Sequence, residues 1–240
     1  MFALKSELIA FQTWLNDHGA PEKLEADGNF GPKSKAAMLR VFSCQSAKAV
    51  TDEDLAAFAT RLGCSVAQIK AVAFVESNGG GWDKQGRIMC LYERHYVWKR
   101  VRAAVPFLSD PKPGGYTVDA DHDGINDSWE KLADAVAFWG PSVAFECASF
   151  GKFQVMGAQW NKLGYPSAME FVWGMVADEK AHYECLARYV EYFGLKRALQ
   201  KMNASPLNCR DFAIGYNGPK QKGYDARLAS AVVKMSSGRG

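Results

Sequence analysis

The sequence predicts a mainly α protein built in two parts, with one minor β element. Three observations carry that prediction. Apolar residues recur at three- and four-residue spacing along most of the chain. A small, polar stretch at residues 43–50 (SCQSAKAV) separates an N-terminal segment from the rest. Only residues 87–92 (RIMCLY), after Gly86, read as a strand.

Residues 4–16 place Leu4, Leu8, Phe11 and Leu15 on one helical face, and His18-Gly19-Ala20-Pro21 ends that helix. A turn-rich loop follows (Ala26-Asp27-Gly28-Asn29-Phe30-Gly31), and Pro32 suits the first position of a second helix. After the polar stretch, Thr51-Asp52-Glu53-Asp54 reads as a helix start, a capping residue with carboxylates in the first turn. Further helices are expected near 52–62, 66–77, 94–104, 129–139, 142–148, 153–161, 168–173, 175–193, 195–202, 209–215 and 223–235. The expected division is 1–45 as one domain and 50–240 as the other.

Composition narrows the partners. At 240 residues and 48% hydrophobic, the chain can bury a full core and is neither disordered nor fibrous. The net charge of +3 splits into +1 over residues 1–50, −3 over 51–130 and +5 over 131–240. There is no Lys/Arg-rich run, so nucleic acid is not an expected partner, while the basic segment 131–240 suits an anionic polymer or is an ordinary solvated surface. No apolar run approaches the ~20 residues of a membrane span, so no stable membrane association is expected. Lys5, Ser6, Glu7 and Gln12 interrupt the N-terminal apolar positions, so no signal-peptide core is expected. Six scattered cysteines without a CxxC pair, and four histidines without HExxH, suggest reduced thiols and no zinc site. A monomer is expected.

One carboxylate stands out. Ile69, Val72, Ala73 and Glu76 share one face of the 66–77 helix, so Glu76 continues the apolar stripe. It also sits at the helix C-terminus, before the Ser77-Asn78-Gly79-Gly80-Gly81 break. Burial and the negative helix end both raise a carboxyl pKa, and a raised-pKa acid is what glycosidic cleavage uses to protonate a leaving oxygen. The residues alone equally allow a helix-end glutamate capped by water or an arginine.

Residues 119–130 read D-A-D-H-D-G-I-N-D-S-W-E. Counted from Asp119, this matches the D-x-[DN]-x-[DN]-G-x5-E pattern of a calcium loop. The candidate ligands are Asp119, Asp121, Asp123, Ile125 through its carbonyl, Asp127 and Glu130, with Gly124 turning the loop. A structural Ca2+ is expected there, with no cofactor required for chemistry; the other reading is an acidic surface loop.

From Thr51 onward the chain resembles the phage-type N-acetylmuramidase family of peptidoglycan-cleaving endolysins. The carrying segments, in the family's order, are IKAVAFVESNGGGW (69–82), GRIMCLYERH (86–95), ASFGKFQVMGAQWNKLGY (148–165) and FAIGYNG (212–218). The resemblance implies a lysozyme-like helical catalytic domain that hydrolyses the β-1,4 bond between N-acetylmuramic acid (MurNAc) and N-acetylglucosamine (GlcNAc). It implies Glu76, in Val75-Glu76-Ser77, as the catalytic acid. It implies Glu93, in Tyr92-Glu93-Arg94-His95, as the second carboxylate, with Tyr92 where the family usually has Phe. A plain ion pair of Glu93 with Arg94 or another cation is the other reading. Ser149 and Gln154 belong to a cleft-wall segment in which Phe150 replaces the usual Trp, and Gln154, Tyr216 and Asn217 are candidate sugar contacts. The calcium-loop pattern is an insertion relative to the family.

Residues 8–15 (LIAFQTWL) with 27–34 (DGNFGPKS) resemble a small three-helix peptidoglycan-binding module, abbreviated to two helices. The resemblance implies wall contacts at Asp27, Gly28 and Phe30. The implied whole is a bacteriolytic endolysin, made in the host cytoplasm and reaching the wall after holin-type release. A lytic transglycosylase and a non-catalytic wall-binding protein are the alternatives.

Overall fold

The structure is a computed structural model and describes residues 2–78, 80–220 and 222–237, without the side chains of residues 2 and 3. Gly79, part of the expected glycine break, lies outside the described residues. The helices are α1 (Phe2–Asp17), α2 (Pro32–Val41), α3 (Asp52–Leu62), α4 (Val66–Ser77), α5 (Arg94–Val101), α6 (Ser128–Trp139), α7 (Pro141–Glu146), α8 (Ala168–Trp173), α9 (Glu179–Tyr192), α10 (Lys196–Lys201), α11 (Pro206–Asn217) and α12 (Tyr224–Ser236). The strands β1 (Cys90–Tyr92), β2 (Ala148–Phe150) and β3 (Val155–Met156) form one antiparallel sheet in that order. The mainly α class with a minor β element is as the sequence predicts. No single helix among the described residues is long and apolar enough to cross a membrane.

The chain forms two compact units, one of residues 1–46 and 82–177, the other of 47–81 and 178–240. The 43–50 stretch does mark a boundary, but the N-terminal helices share a unit with 82–177. The expected 1–45 segment packs in one unit with 82–177. Phe11 of α1 stacks on Phe30 at 5.7 Å and meets Phe145 of α7 edge-on at 5.9 Å. Phe42 lies 5.4 Å from Trp129 and 5.1 Å from Phe145, which in turn stacks on Phe150 of β2 at 5.8 Å. Each such pair contributes roughly 0.5–1.5 kcal/mol beyond area burial.

Polar contacts fix the same junction. Ser142 Oγ donates to Glu7 Oε1 at 2.6 Å, and Lys35 pairs with Asp134 at 2.6 Å. Gly140 adopts φ +86°, and a Cβ there would stand 2.0 Å from Glu7 Oε2. The positive φ favours glycine at this corner, and a side chain there would displace the Glu7 carboxylate from Ser142.

In the second unit, α4 packs along α12, α11 packs on α12, and α3 packs on α9. Two capping boxes start its first helices. Asp54 N–H donates to Thr51 Oγ1 at 3.1 Å, and Gln68 N–H to Ser65 Oγ at 3.2 Å. Gln68 Nε2 also donates to Met202 O at 2.6 Å, tying α4 to the α10–α11 turn. Arg61 of α3 reaches Glu184 at 2.7 Å and Glu191 at 2.6 Å on α9.

The expected helix at 153–161 is not formed. Those residues make β3 and a single 3-10 turn, Gly157–Gln159. Gln154 sits at φ +47°, which no right-handed helix accepts. The expected 94–104 helix stops at Val101, because Arg102 turns left-handed at φ +55°.

Candidate active site

The second unit places Glu76 in the last turn of α4, whose buried side carries Ile69, Ala71, Val72 and Ala73. Tyr224, the first residue of α12 and 2% exposed, donates its hydroxyl to Glu76 Oε1. Burial pushes the Glu76 carboxyl up to about 7, against smaller downward pulls from the Tyr224 bond and the Arg227 charge. The guanidinium of Arg227 lies 5.5 Å from the Tyr224 ring centroid. Behind Tyr224, Tyr216 of α11 stacks on Phe212 at 5.3 Å and packs edge-on against Tyr189 at 5.0 Å. Tyr216 is thus held in an aromatic stack beneath the acid, and burial keeps its hydroxyl protonated. Asn217 is the exposed last residue of α11.

The first unit places Glu93 between β1 and α5. Its N–H donates to Cys147 O at 3.1 Å, and its carbonyl receives Tyr96 N–H at 2.8 Å. The carboxylate is held separately: Tyr116 donates its hydroxyl to Oε2 at 2.6 Å, and His95 Nδ1 lies 3.1 Å from the same oxygen. Burial drives the His95 pKa down, opposed by the Glu93 charge, and burial with the Glu93 bond drives the Tyr116 pKa up. The neighbour seen in the sequence, Arg94, instead turns to Lys112 O at 3.1 Å and to Asp110 at 3.8 Å.

A surface loop depends on this segment. Tyr92 donates its hydroxyl to Leu108 O at 2.9 Å, Glu93 receives Tyr116, and Arg94 holds Lys112. Three consecutive residues thus pin the 103–116 loop at three points. At its tip Phe107 is 71% exposed at φ +65°, inside a turn in which Ser109 N–H donates to Val105 O at 2.9 Å.

Other expected contact residues face inward. Ser149 is 5% exposed and donates to Gln154 Oε1 at 3.1 Å, and Gln154 Nε2 donates to Gly151 O at 2.9 Å. These bonds close the β2–β3 turn. Phe150 is 1% exposed, so the residue standing in place of Trp packs the core.

Phe30 is 5% exposed against Phe11. Gly28 N–H donates to the buried Gln12 Oε1 at 2.8 Å, and Gln12 Nε2 donates to Asn29 O at 3.1 Å and Ser34 Oγ at 3.1 Å. The D-G-x-F-G turn therefore spends Gly28 and Phe30 on seating α1, and leaves Asp27 exposed with its carboxylate on Asn29 N–H at 2.8 Å.

In the 119–130 loop, carboxylate oxygens of Asp119, Asp121 and Asp127 lie within 4.8 Å of one another. The loop closes through Asp127 N–H to Val118 O at 2.8 Å and Gly124 N–H to Asp119 Oδ2 at 3.0 Å. Asp123 and Glu130 do not join the three. Asp123 Oδ2 receives Gln85 Nε2 at 2.6 Å, and Glu130 pairs with the buried Arg87 at 2.5 Å. All six cysteines are unpaired thiols.

Sequence reasoning missed Tyr224, Arg227 and Tyr116. Each lies far along the chain from its carboxylate, and no local pattern marks it. A mainly α chain with a half-buried, high-pKa carboxylic acid at a helix end has the make-up of a lysozyme-like glycoside hydrolase. The N-acetylmuramidase profile matches residues 65–236, well over half the chain, and the chain belongs to this muramidase family of peptidoglycan hydrolases. It is also similar to the crystal structure of an endolysin of the Burkholderia phage AP3. That likeness covers 98% of this chain and 96% of the other, with a TM-score of 0.65 and 28% identity. No curated protein matches the chain.

Proposed function

We propose that the protein is an endolysin-type muramidase that hydrolyses the β-1,4 MurNAc–GlcNAc bond with Glu76 as general acid. The observation that carries this reading is the Glu76 carboxyl, pushed by burial to about 7 and hydrogen-bonded by Tyr224. Near neutral pH a large fraction of such an acid holds its proton, ready for the leaving glycosidic oxygen. As the bond breaks, positive charge develops on the sugar ring, and a second carboxylate stabilises it or directs the attacking water. Glu93 is our candidate for that role, fixed by Tyr116 and beside a histidine whose pKa burial lowers.

Glu76→Gln keeps the side chain's shape and removes the proton. The variant should lose peptidoglycan cleavage and keep wall binding; full activity in it would sink the assignment. Mass spectrometry of the products should find reducing MurNAc ends, whereas anhydro ends would point to a transglycosylase. Tyr216 and Asn217 remain candidate sugar contacts, and Asp27 a candidate wall contact.

We further propose that the chain acts on the wall of the host after holin-type release from the cytoplasm. The +5 charge of residues 131–240 suits an anionic wall. The 119–130 loop is proposed to take a structural Ca2+ through Asp119, Asp121 and Asp127, with the Ile125 carbonyl as a further oxygen.

A further inference from the structure

Beside Glu76, the second unit carries a groove of about 450 Å³ between α4 and α12, lined by Phe74, Val75, Arg227, Ser230, Ala231 and Lys234 among others. Its lining combines an apolar floor with two cations and contains no carboxylate. Lys234 Nζ stands 4.0 Å over the Phe74 ring, and Arg227 lies over Tyr224, so aromatic faces hold both cations. Neither cation closes an ion pair among the described residues. Arg227 also sits near the N-terminus of α12, where the helix dipole disfavours a positive charge. Its Nη1 donates to Lys222 O at 3.1 Å, just ahead of the helix.

The groove adjoins the acid. Val75 lines it and precedes Glu76, and the Arg227 charge that lines it is felt at the Glu76 carboxyl. Muramic acid differs from its neighbour sugar by a lactyl ether that bears a short, alanine-containing peptide with free carboxylates. A muramyl unit presented to Glu76 brings that peptide with it.

We infer that the α4–α12 groove binds the anionic stem peptide of the muramyl sugar, its methyl groups on Phe74 and Ala231 and its carboxylates on Lys234 and Arg227. The inference rests on Glu76 being the catalytic acid. It adds that the enzyme distinguishes stem-bearing from bare glycan.

Two measurements test it. On stem-bearing glycan, Lys234→Glu should raise KM ~3–5-fold, the scale of an exposed ion pair lost and reversed. On the same glycan stripped of its peptides, KM should stay unchanged. An equal rise on both substrates, or none on either, overturns the inference. Lys220→Glu, an exposed charge outside the groove lining, serves as the control for general attraction to the wall. Independently of turnover, a soluble disaccharide–tetrapeptide should shift the backbone amide NMR signals of Ser230 and Lys234, and the peptide-free disaccharide should not. Identical shifts with both, or none with either, also overturn it. Retained cleavage by Glu76→Gln would count against the catalytic assignment and leave the NMR result standing.

Discussion

The hydroxyl of Tyr224 donates to Oε1 of Glu76, two residues 148 positions apart in sequence. A donor to a carboxylate favours the anion, so this bond opposes the burial that raises the Glu76 pKa. Tyr224→Phe should move the basic limb of the kcat/KM profile to higher pH, with activity at pH 6 largely kept. A limb that moves to lower pH would contradict the arrangement.

Glu76 also makes stability depend on pH. Its folded pKa, about 7, lies above the reference value of 4.5, so the folded state holds the proton through that window. The associated stability is full below the lower value and is lost as pH rises through the upper one. The difference corresponds to about 3 kcal/mol at most. Glu76→Gln does not titrate, so its Tm advantage over the parent should grow from pH 5 to pH 8. A constant difference across that range would argue against a Glu76 that titrates near neutrality in the folded state.

Tyr116→Phe removes a 2.6 Å bond to Glu93 and leaves the ring in place. A hydrogen bond to a charged group contributes about 1.5–3 kcal/mol, so kcat should fall ~10-fold or more with KM little changed. A variant with full kcat would remove Glu93 from the proposed chemistry.

The shared aromatic core sets the outcome of truncation. Phe11 reaches both Phe30 and Phe145, so Phe11→Ala should cost about 3–5 kcal/mol in the unfolding of the first unit. Deleting residues 1–46 strips Trp129 and Phe145 of Phe42 and should yield an aggregating product. A truncated chain with the parent Tm would restore the N-terminal segment as an independent module.

Calcium should raise the Tm and give a titration-calorimetry signal at millimolar concentration, and Asp119→Asn should abolish both. Absence of both effects in the parent protein would leave the 119–130 loop as an acidic turn.

Most helices were legible because their signals are local. Thr51 with Asp54, the apolar stripe through Ile69 and Val72, and Pro32 at a helix start all act within a turn or two of themselves. Glu76 was legible for the same reason, being both on the stripe and at the helix end. Its partners were not, because Tyr224 and Arg227 reach it only through the packing of α12 on α4. Nothing local in the sequence marks Gln154 as left-handed, so the β2–β3 turn and β3 read as helix in the sequence. Phe30 and Ser149 were read as contacts from the resemblance alone. Their burial depends on the Phe11 ring and on the Ser149–Gln154 bond; the motifs name these residues but do not show that they pack against one another.

Tyr92, Glu93 and Arg94 pin the 103–116 loop at Leu108, Tyr116 and Lys112. Surface loops ordinarily accept insertions and swaps, but this one has three fixed anchor points on a single tripeptide. Changing its length between anchors shifts the Tyr116 hydroxyl away from Glu93 while the helical core stays folded. The loop and the tripeptide therefore form one inheritable cassette: transplanted together they keep their geometry, and exchanged singly they yield a folded chain with a misdirected carboxylate.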